Sequence, residues 1–314
     1  KFEGNEVKGS KGLYGVNLGE GVNRVGPDAK HPFVVKNLKI WDVHYAFRVQ
    51  VPNLAVENLT IHKAAYGVYH PNYDNHYYKN VLISYTNTEP FNRGHDDLSV
   101  QYGTLTVDGL TFDGIRSGGM PLIQISDDNP TGTAVTHLRN VKTLNWTDGS
   151  RAKAVANLGG GPRPTPKTEK GVPIYFHDWF GPGRHALVVS TKSGEYKAEP
   201  KAFRPEAPLT GDESRVAEVK DIAFPAMPQP ADDLPPATVI THVGTKDGKL
   251  HVRGSTIDNG AVKSVKVNGT VVQSIEANHR QWEVLLDAGT KELKALAEDA
   301  AGNVEQTPMV LKVK

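Results

Sequence analysis

The 314-residue sequence contains no cysteine. Disulfides, thiolate nucleophiles, zinc–thiolate sites and iron–sulfur clusters are therefore excluded. No apolar run approaches the roughly 18 residues that a membrane-spanning helix needs, so no membrane span is predicted. Neither sign of charge is in excess, because 36 basic residues balance 35 acidic ones to a net +1. A surface that follows nucleic-acid phosphates needs an excess of Lys and Arg, so nucleic acid is not predicted as a partner.

Two catalytic signatures are missing as well. The glycine run 159–161 leads into Pro162 without a following Lys-Ser/Thr pair, so it is not a loop that cradles a nucleotide phosphate. The sequence also has no Gly-x-Ser-x-Gly turn, which argues against a serine hydrolase of that type.

The absence of cysteine fits a bacterial protein exported into oxidising surroundings. The first residue is Lys1 instead of Met, and no charged segment followed by an apolar one comes after it. These features predict a processed protein that is secreted, periplasmic or on the cell surface. Either a signal segment or a longer N-terminal region would have preceded Lys1.

The first 150 residues contain an irregular repeat in which apolar residues flank an Asn or Asp. Clear copies lie at 34–40 and 55–61, with looser copies at 78–83, 105–112 and 138–144. The Asn or Asp residues that mark the copies are Asn37, Asn58, Asn80, Asp108 and Asn140. Successive markers are 21, 22, 28 and 32 residues apart. A period in this range, built from strands alone, is typical of a β-solenoid.

In a solenoid, the short strands of one rung stack in parallel on those of the next. This arrangement predicts continuous stacks of inward Val, Ile and Leu, and Asn side chains that hydrogen-bond to the rungs above and below. The longer spacings predict loop insertions. The alternative is a sandwich of hairpins, which is disfavoured because only three pairs in this segment, Asp108-Gly109, Asp113-Gly114 and Asp148-Gly149, have the sequence of a tight hairpin turn.

Two further segments follow. Thirteen of the 21 prolines lie between Pro162 and Pro236, so 159–236 is predicted as an extended strap with a strand–turn–strand unit at 172–190 that packs on the solenoid. Residues 237–314 contain short strand-like runs separated by turns, and Asn268-Gly269 is a strong hairpin signal, which together predict a β-sandwich. The predicted domains are therefore 1–158, 159–236 and 237–314.

On these residues, about 30–150 of the chain resembles secreted bacterial right-handed parallel β-helix proteins of the pectate-lyase-like superfamily. The sequences VKVNG, WEVLLDAG and ALAEDAAGNVEQTP of the C-terminal segment resemble bacterial immunoglobulin-like accessory domains. The resemblance implies an all-β chain, with a right-handed parallel β-helix followed by an immunoglobulin-like β-sandwich that acts as a spacer or docking module.

A catalytic hypothesis rests on His95, Asp96 and Asp97. The two aspartates resemble the pair on one face of β-helix polysaccharide hydrolases, where two carboxylates divide the general acid and general base work. The Gly-His-Gly and Arg-Ile-Lys elements of those hydrolases have no counterpart here. The alternative is a turn whose aspartates bind backbone amides.

A ligand-binding hypothesis concerns a segment rich in His and Tyr. Tyrosine has a flat apolar face and a hydrogen-bonding tip, which suit stacking on sugar rings. The predicted binding residues are His62, Tyr66, Tyr69, His70, Tyr73 and His76. A ladder of His44 and His62 on successive rungs would add a metal site. The alternative is that these side chains only cover the surface of the solenoid.

A metal hypothesis concerns His177, Asp178 and His185, which flank the Gly-Pro-Gly turn at 181–183. A hairpin would place His177 opposite His185, with Asp178 orienting one ring. Hairpin pairing alone explains the same residues. The segment 127–130 is a turn or at most a loose calcium loop, without the spacing of a dedicated motif. A divalent metal such as calcium is the cofactor that these patterns predict.

The predicted function is polysaccharide binding or processing along the exposed face of the β-helix, by lyase or hydrolase chemistry if the protein is catalytic. The alternative is a noncatalytic structural or assembly subunit, the C-terminal fragment of a larger precursor. Its first rung would expose strand edges that another protein chain or a lost N-terminal region must cap. The sequence leaves both functions open.

Overall fold

A computed structural model describes residues 2–19, 27–69, 74–92, 103–116, 121–124, 135–147, 155–156, 173–189 and 216–313. The regular structure in these ranges is β-strand apart from one short 3-10 turn, so the all-β class is confirmed. The chain divides into two compact units, Lys1–Pro230 and Ala231–Lys314. Within the described ranges, no helix is long and apolar enough to cross a membrane.

The described strands of the first unit form one large sheet. They are β1 (Phe2–Glu3), β2 (Glu6–Leu18), β3 (Phe33–Val49), β4 (Leu54–Tyr69), β5 (His76–Ser84), β6 (Glu89–Asn92), β7 (Thr104–Asp113), β8 (Ile123–Gln124), β9 (Val135–Leu144), β10 (Pro173–His177), β11 (His185–Val189) and β12 (Val216–Val219). The main path runs β1-β3-β4-β5-β7-β9-β10-β11-β12, with β2 beside β3 and β6 beside β4 and β8.

Strand direction distinguishes the predicted parallel stacking from the alternative sandwich of hairpins. Every described pair from β1 to β10 is parallel, and only β10–β11 and β11–β12 are antiparallel. The parallel stacking predicted for the first half is therefore confirmed, and the sandwich of hairpins is wrong there. The predicted strand–turn–strand unit is the β10–β11 hairpin, and β10 continues the sheet in parallel beside β9.

The register of the sheet follows the asparagine repeat, with one correction. Strands β3 and β4 pair at an offset of 21 residues, and β4 and β5 at 22. In β7, the residue level with Asn80 and Asn140 is Gly109, so Asp108 was wrong as the marker by one position. The backbone at this level is left-handed, with φ of 55° at Asn80 and 85° at Gly109, a conformation that Asn tolerates and Gly adopts without strain.

The asparagines at this level form the predicted hydrogen-bonded ladder. The side-chain amide of Asn58 donates to Oδ1 of Asn37 at 2.8 Å, and that of Asn80 donates to Oδ1 of Asn58 at 3.1 Å. Asp108 takes part through its carboxylate, because its Oδ1 accepts a hydrogen bond from the amide of Asn140 at 3.1 Å. The ladder therefore links successive strands at the place where each strand bends.

The core of the first unit consists of side chains stacked level by level. Three buried columns run across β3, β4, β5, β7 and β9. Their described members are Val35, Val56, Tyr78, Val107 and Leu138; Leu38, Leu59, Val81, Leu110 and Val141; and Ile40, Ile61, Ile83 and Phe112. The predicted apolar stacks are confirmed, and their burial supplies the main stabilising free energy of this unit.

Beside the core lies a column of charged side chains whose sign alternates from strand to strand. Its members, in register, are Glu3, Lys36, Glu57, Lys79, Asp108 and Arg139, and the next residue at this level is His177. Glu57 is 3.3 Å from Nζ of Lys36 and 3.0 Å from Nζ of Lys79. Arg139 donates two hydrogen bonds to the carboxylate of Asp108.

Part of the proline-rich segment lies across this sheet. Residues 220–230 have no regular secondary structure. The guanidinium carbon of Arg139 is 4.0 Å from the ring centroid of Phe224. The same ring packs edge-on against His177 with centroids 4.9 Å apart.

The second unit consists of two four-stranded antiparallel sheets that bury one core. Its strands are β13 (Ala237–Lys246), β14 (Lys249–Ile257), β15 (Val262–Val267), β16 (Thr270–Val271), β17 (Gln273–Ser274), β18 (Trp282–Leu286), β19 (Glu292–Asp299) and β20 (Met309–Lys312). The sheet orders are β13-β14-β18-β17 and β16-β15-β19-β20.

The predicted hairpin of this unit is confirmed. Asn268 and Gly269 connect β15 to β16, and both have positive φ, 50° and 83°, as a tight hairpin turn requires. In the core, the fully buried Trp282 donates from its indole nitrogen to Oγ1 of Thr256 at 3.0 Å. A side chain at Gly254 would overlap this indole ring, which explains the glycine in the middle of β14.

Candidate functional site

Three tyrosines from neighbouring strands of the first unit lie level with one another. Tyr14 of β2 pairs with Tyr45 of β3, and Tyr45 pairs with Tyr66 of β4. The ring centroids are 5.3 Å apart in the first pair and 4.4 Å apart in the second, and both pairs are stacked. Tyr14, Tyr45 and Tyr66 are called the tyrosine column below.

Stacking decides which parts of the tyrosine column a ligand can reach. Tyr45 is covered on both faces by its neighbours, and Tyr66 is covered on one. Tyr14 is 40% exposed, and Tyr45 and Tyr66 are partly exposed. A flat face on which a sugar ring could stack is therefore lost at Tyr45, whereas the column itself covers only one face of Tyr14 and one face of Tyr66.

Further side chains border the column. The exposed His44 packs edge-on against Tyr45 and against Tyr66, at centroid distances of 4.6 and 5.2 Å. Tyr69 contacts the same two rings at 4.9 and 5.2 Å. At the Tyr14 end, the guanidinium carbon of Arg48 lies 5.6 Å from the ring centroid. The tyrosine column and the residues that border it thus combine aromatic rings, phenolic hydroxyls and a cation.

A carboxyl group lies at the other end of the column. Glu89 is level with Tyr66 in the sheet, and one of its carboxylate oxygens accepts a hydrogen bond from the side-chain amide of Asn92. Burial raises the pKa of Glu89, and this effect outweighs the hydrogen bond from Asn92. Burial also raises the pKa of Tyr66, with a smaller contribution from the negative charge of Glu89. The raised pKa favours the neutral carboxylic acid form of Glu89 relative to an exposed glutamate.

The residues that follow the three tyrosines pack closely against neighbouring strands. They are small: Gly15, Ala46 and Gly67. A Cβ at Gly15 would lie 2.6 Å from the carbonyl oxygen of Ala46, and one at Gly67 would overlap the carbonyl oxygen of Pro90. Larger residues at these positions would push the strands apart.

The predicted binding residues separate in the structure. Tyr66 and Tyr69 lie at the column. His62 lies on the other side of the bend at Lys63, where its Nδ1 is 2.8 Å from Oγ of Ser84. The predicted ladder of His44 and His62 is wrong, because the residue level with His62 is Trp41. His70 and Tyr73 lie outside the described residues.

His76 belongs to a different surface. It is 1% exposed, and its Nε2 is 2.6 Å from the carbonyl oxygen of Val51. With Tyr77, Asn53 and Asn75, it lines a groove of about 260 Å³ whose other wall includes Pro225 and Pro228. The structure therefore does not bring His76 together with Tyr66.

The predicted metal residues lie at the β10–β11 hairpin. His177 and His185 face each other as expected, with ring centroids 4.7 Å apart. A third histidine, His137 of β9, lies with Nδ1 3.0 Å from Nε2 of His177. Burial lowers the pKa of His177 to about 4, and the rings of His137 and His185 add to this effect. At neutral pH the His177 ring is thus packed as a neutral imidazole.

Asp178 serves the hairpin turn. Its Oδ1 accepts a hydrogen bond from the backbone of Gly183 at 2.8 Å and lies 3.8 Å from Nδ1 of His185, which itself accepts the backbone N–H of Asp178. In the part of the chain that the structure describes, one group of three His, Asp or Glu side chains has its ligand atoms within 4.8 Å of one another, and it lies elsewhere, in the second unit. Metal binding at His177, Asp178 and His185 stays a prediction.

The predicted catalytic residues His95, Asp96 and Asp97 lie outside the described residues, and so does the segment 127–130. Sequence reasoning missed Tyr14, Tyr45, Glu89 and His137. For Tyr45 a signal was present, because Tyr45 and Tyr66 are 21 residues apart, the same spacing as Asn37 and Asn58. No protein-family model matches the chain, and no curated protein matches it either.

Proposed function

We propose that the first unit binds an extended polysaccharide along the tyrosine column. The observation that carries the proposal is the in-register stack of Tyr14, Tyr45 and Tyr66, which repeats one phenolic hydroxyl at each strand. Hydroxyls donate and accept hydrogen bonds, as the hydroxyls of a sugar chain do. Tyrosine also offers contact area at a low cost in conformational entropy, because it has two side-chain torsions.

The ends of the column support the same ligand class. Arg48 beside the ring of Tyr14 adds a cation, and Glu89, level with Tyr66, adds a carboxyl group. Polar groups of both kinds bind sugar hydroxyls, and the partly exposed rings between them exclude water from those hydrogen bonds. The proposal is one of binding. Proton transfer by Asp96 or Asp97 during lyase or hydrolase chemistry remains a separate hypothesis.

The proposal includes the finer fold and the location of the protein. The first unit is a right-handed parallel β-helix of the pectate-lyase-like type, supported by parallel offsets of 21 and 22 residues and by left-handed residues at equivalent levels. The second is an immunoglobulin-like sandwich, supported by its two antiparallel four-stranded sheets. The protein acts outside the cell, where such polysaccharides occur.

Substitution of hydroxyls tests the binding site without removing the rings. The doubly substituted Tyr45→Phe, Tyr66→Phe protein is compared with wild type on a glycan array and then by affinity electrophoresis with the bound polysaccharide. The matched control is Tyr85→Phe, a tyrosine that is 51% exposed and outside the column. We expect about a tenfold or greater loss of affinity for the double variant, equivalent to at least about 1.4 kcal/mol, and none for the control. Wild-type affinity of the double variant, or no glycan bound by wild type, would overturn the proposal.

A second candidate is the structural or assembly role. The observation that favours it is strand β2, which pairs with β3 along one edge while no described strand pairs with its other edge. Leu13 of this strand is 58% exposed. An uncovered strand edge is a template for pairing with another chain. Sedimentation of the purified protein separates the candidates, because a monomer that binds glycan favours the first, and a stable protein obtained only within a larger assembly favours the second.

A further inference from the structure

Three aspartates converge in the second unit. Asp232 precedes β13, Asp258 follows β14, and Asp299 ends β19, so the group joins one strand from each sheet to the segment that leads into them. One carboxylate oxygen from each lies within 4.8 Å of the others. Asp299 is fully buried, and the other two are partly buried.

The charges of Asp258 and Asp299 are not balanced by described cations. Neither Asp258 nor Asp299 forms an ion pair with a Lys, Arg or His within the described ranges. Asp299 accepts hydrogen bonds from the backbone and the side chain of Asn303, both at 2.7 Å. Burial opposes ionisation of Asp299, but these hydrogen bonds hold its pKa below the ordinary value. Carboxylates placed so close together repel one another unless a cation lies between them.

A separate observation concerns oxygen atoms that lack a donor. Oδ1 of Asn259 is inaccessible to solvent and accepts no hydrogen bond, and the same is true of Oδ1 of Asp258. Asn259 is held beside the aspartates, because its amide nitrogen donates to the carbonyl oxygen of Ala231 at 3.0 Å. A buried acceptor without a donor costs about 1–3 kcal/mol, so such atoms are rare unless something binds them.

The backbone also leaves space beside the carboxylates. A Cβ at Gly260 would overlap the side chain of Asp232. Gly260 donates its own N–H to Oδ2 of Asp258 at 3.0 Å, so one carboxylate oxygen is oriented while the other is left without a donor. The loop after β14 is thus shaped around two of the three aspartates.

We propose that Asp232, Asp258 and Asp299, with the side-chain oxygen of Asn259, bind one calcium ion. All the donors are oxygen atoms, which hard cations prefer. Calcium–oxygen distances of about 2.3–2.6 Å place donors on opposite sides of the ion up to about 5 Å apart, whereas magnesium requires about 4 Å and a strict octahedron. Carboxylate oxygens that all lie within 4.8 Å of one another are close enough for one calcium ion to bind them together. Bound there, the ion links the two sheets and the segment before β13.

The experiment uses the full chain, freed of metal with a chelator and then titrated with calcium chloride by isothermal calorimetry. Thermal unfolding is followed in parallel. We expect one ion per chain, a dissociation constant in the micromolar to millimolar range, and a melting temperature that rises with calcium. Asp258→Asn should weaken calcium binding at least about tenfold, while the control Asp247→Asn, an exposed aspartate in the β13–β14 turn of the same unit, should bind as wild type does.

Stability without calcium distinguishes a ligand from a structural aspartate. An Asn at 258 can still accept the Gly260 N–H but carries no charge, so in chelator Asp258→Asn should melt at or above the wild-type temperature. With calcium present it should melt below wild type. No calcium bound by wild type at millimolar concentration, an unchanged affinity in Asp258→Asn, or equal stabilisation by magnesium would each overturn the proposal.

Discussion

The carbonyl oxygen of Pro90 lies directly against the α-carbon of Gly67, so that a side chain at Gly67 would overlap it. Gly67 is buried and follows Tyr66 of the tyrosine column. The close approach of these two residues brings β4 and β6 together where the column meets Glu89. A substitution that adds one methyl group at Gly67 therefore tests the packing behind the tyrosine column.

We expect Gly67→Ala to lower the free energy of unfolding of the first unit by about 3 kcal/mol, because the backbone must shift to admit the methyl group. The matched control is Gly12→Ala in β2, where a Cβ would meet no described atom closer than 3.8 Å. Urea unfolding measures both. Equal midpoints for the two variants would contradict the close packing at Gly67.

Two variants of Asn58 separate its backbone conformation from its hydrogen bonds. Asn58 has φ of 60° and hydrogen-bonds to Asn37 and to Asn80. Asn58→Gly keeps the left-handed backbone and loses the amide, which should cost about 1 kcal/mol. Asn58→Ala adds the strain of a left-handed alanine, about 1 kcal/mol more. If Asn58→Ala were more stable than Asn58→Gly in urea unfolding, the left-handed backbone at this position would not be what requires the asparagine.

The histidines at the β9–β10 level predict a loss of stability in acid. An unfolded histidine titrates near pH 6.5, whereas His177 in the folded protein has a pKa of about 4. Between these values the unfolded chain binds more protons, so the free energy of unfolding decreases as the pH falls from 6.5 towards 4, by up to about 3 kcal/mol.

His177→Gln should remove this contribution, and the control His44→Gln, an exposed histidine, should retain it. The measurement is the urea midpoint of each protein at several pH values across the interval. The same acid dependence in His177→Gln and wild type would assign the effect to other groups.

Glu89 predicts the opposite dependence. Burial raises its pKa above 4.5, so the folded protein binds more protons than the unfolded chain in the interval just above that value. Stability is therefore lost as the pH rises through the raised pKa. Glu89→Gln should be more stable than wild type above that interval, since the amide carries no buried charge. Thermal unfolding against pH checks this, with Glu3→Gln on the exposed β1 as the control. No difference between the two variants at neutral pH would contradict it.

The sequence carried the register of the sheet because one residue type marks it. Asn37, Asn58 and Asn80 occupy a left-handed bend that also offers hydrogen bonds between strands, and both needs select Asn. The marker failed at Asp108 because Gly109 satisfies the bend by itself, and the neighbouring carboxylate replaces the amide as acceptor. At this level Gly109 provides the backbone conformation and Asp108 provides the hydrogen bond, whereas at the other levels one Asn provides both.

The candidate site was harder to predict from the sequence because it depends on which residues of neighbouring strands pair in register. Tyr14 joins Tyr45 only because the register shifts between Lys8 and Gly12, a bulge that the repeat of apolar residues and Asn does not mark. Glu89 lies level with Tyr66, although the spacing between them differs from the 21 residues that separate Tyr45 from Tyr66. The group of Asp232, Asp258 and Asp299 is spread over almost 70 residues, and only the packing of two sheets brings its members together.

The alternation of charge beside the core has a consequence for assembly of the chain. If a strand were left out and its two neighbours paired directly, Lys36 would face Lys79, or Glu57 would face Asp108. Like charges opposite one another in a sheet are destabilising, whereas the native order places each acid beside a base. The alternating charges therefore disfavour pairings that skip a strand or exchange strands between molecules.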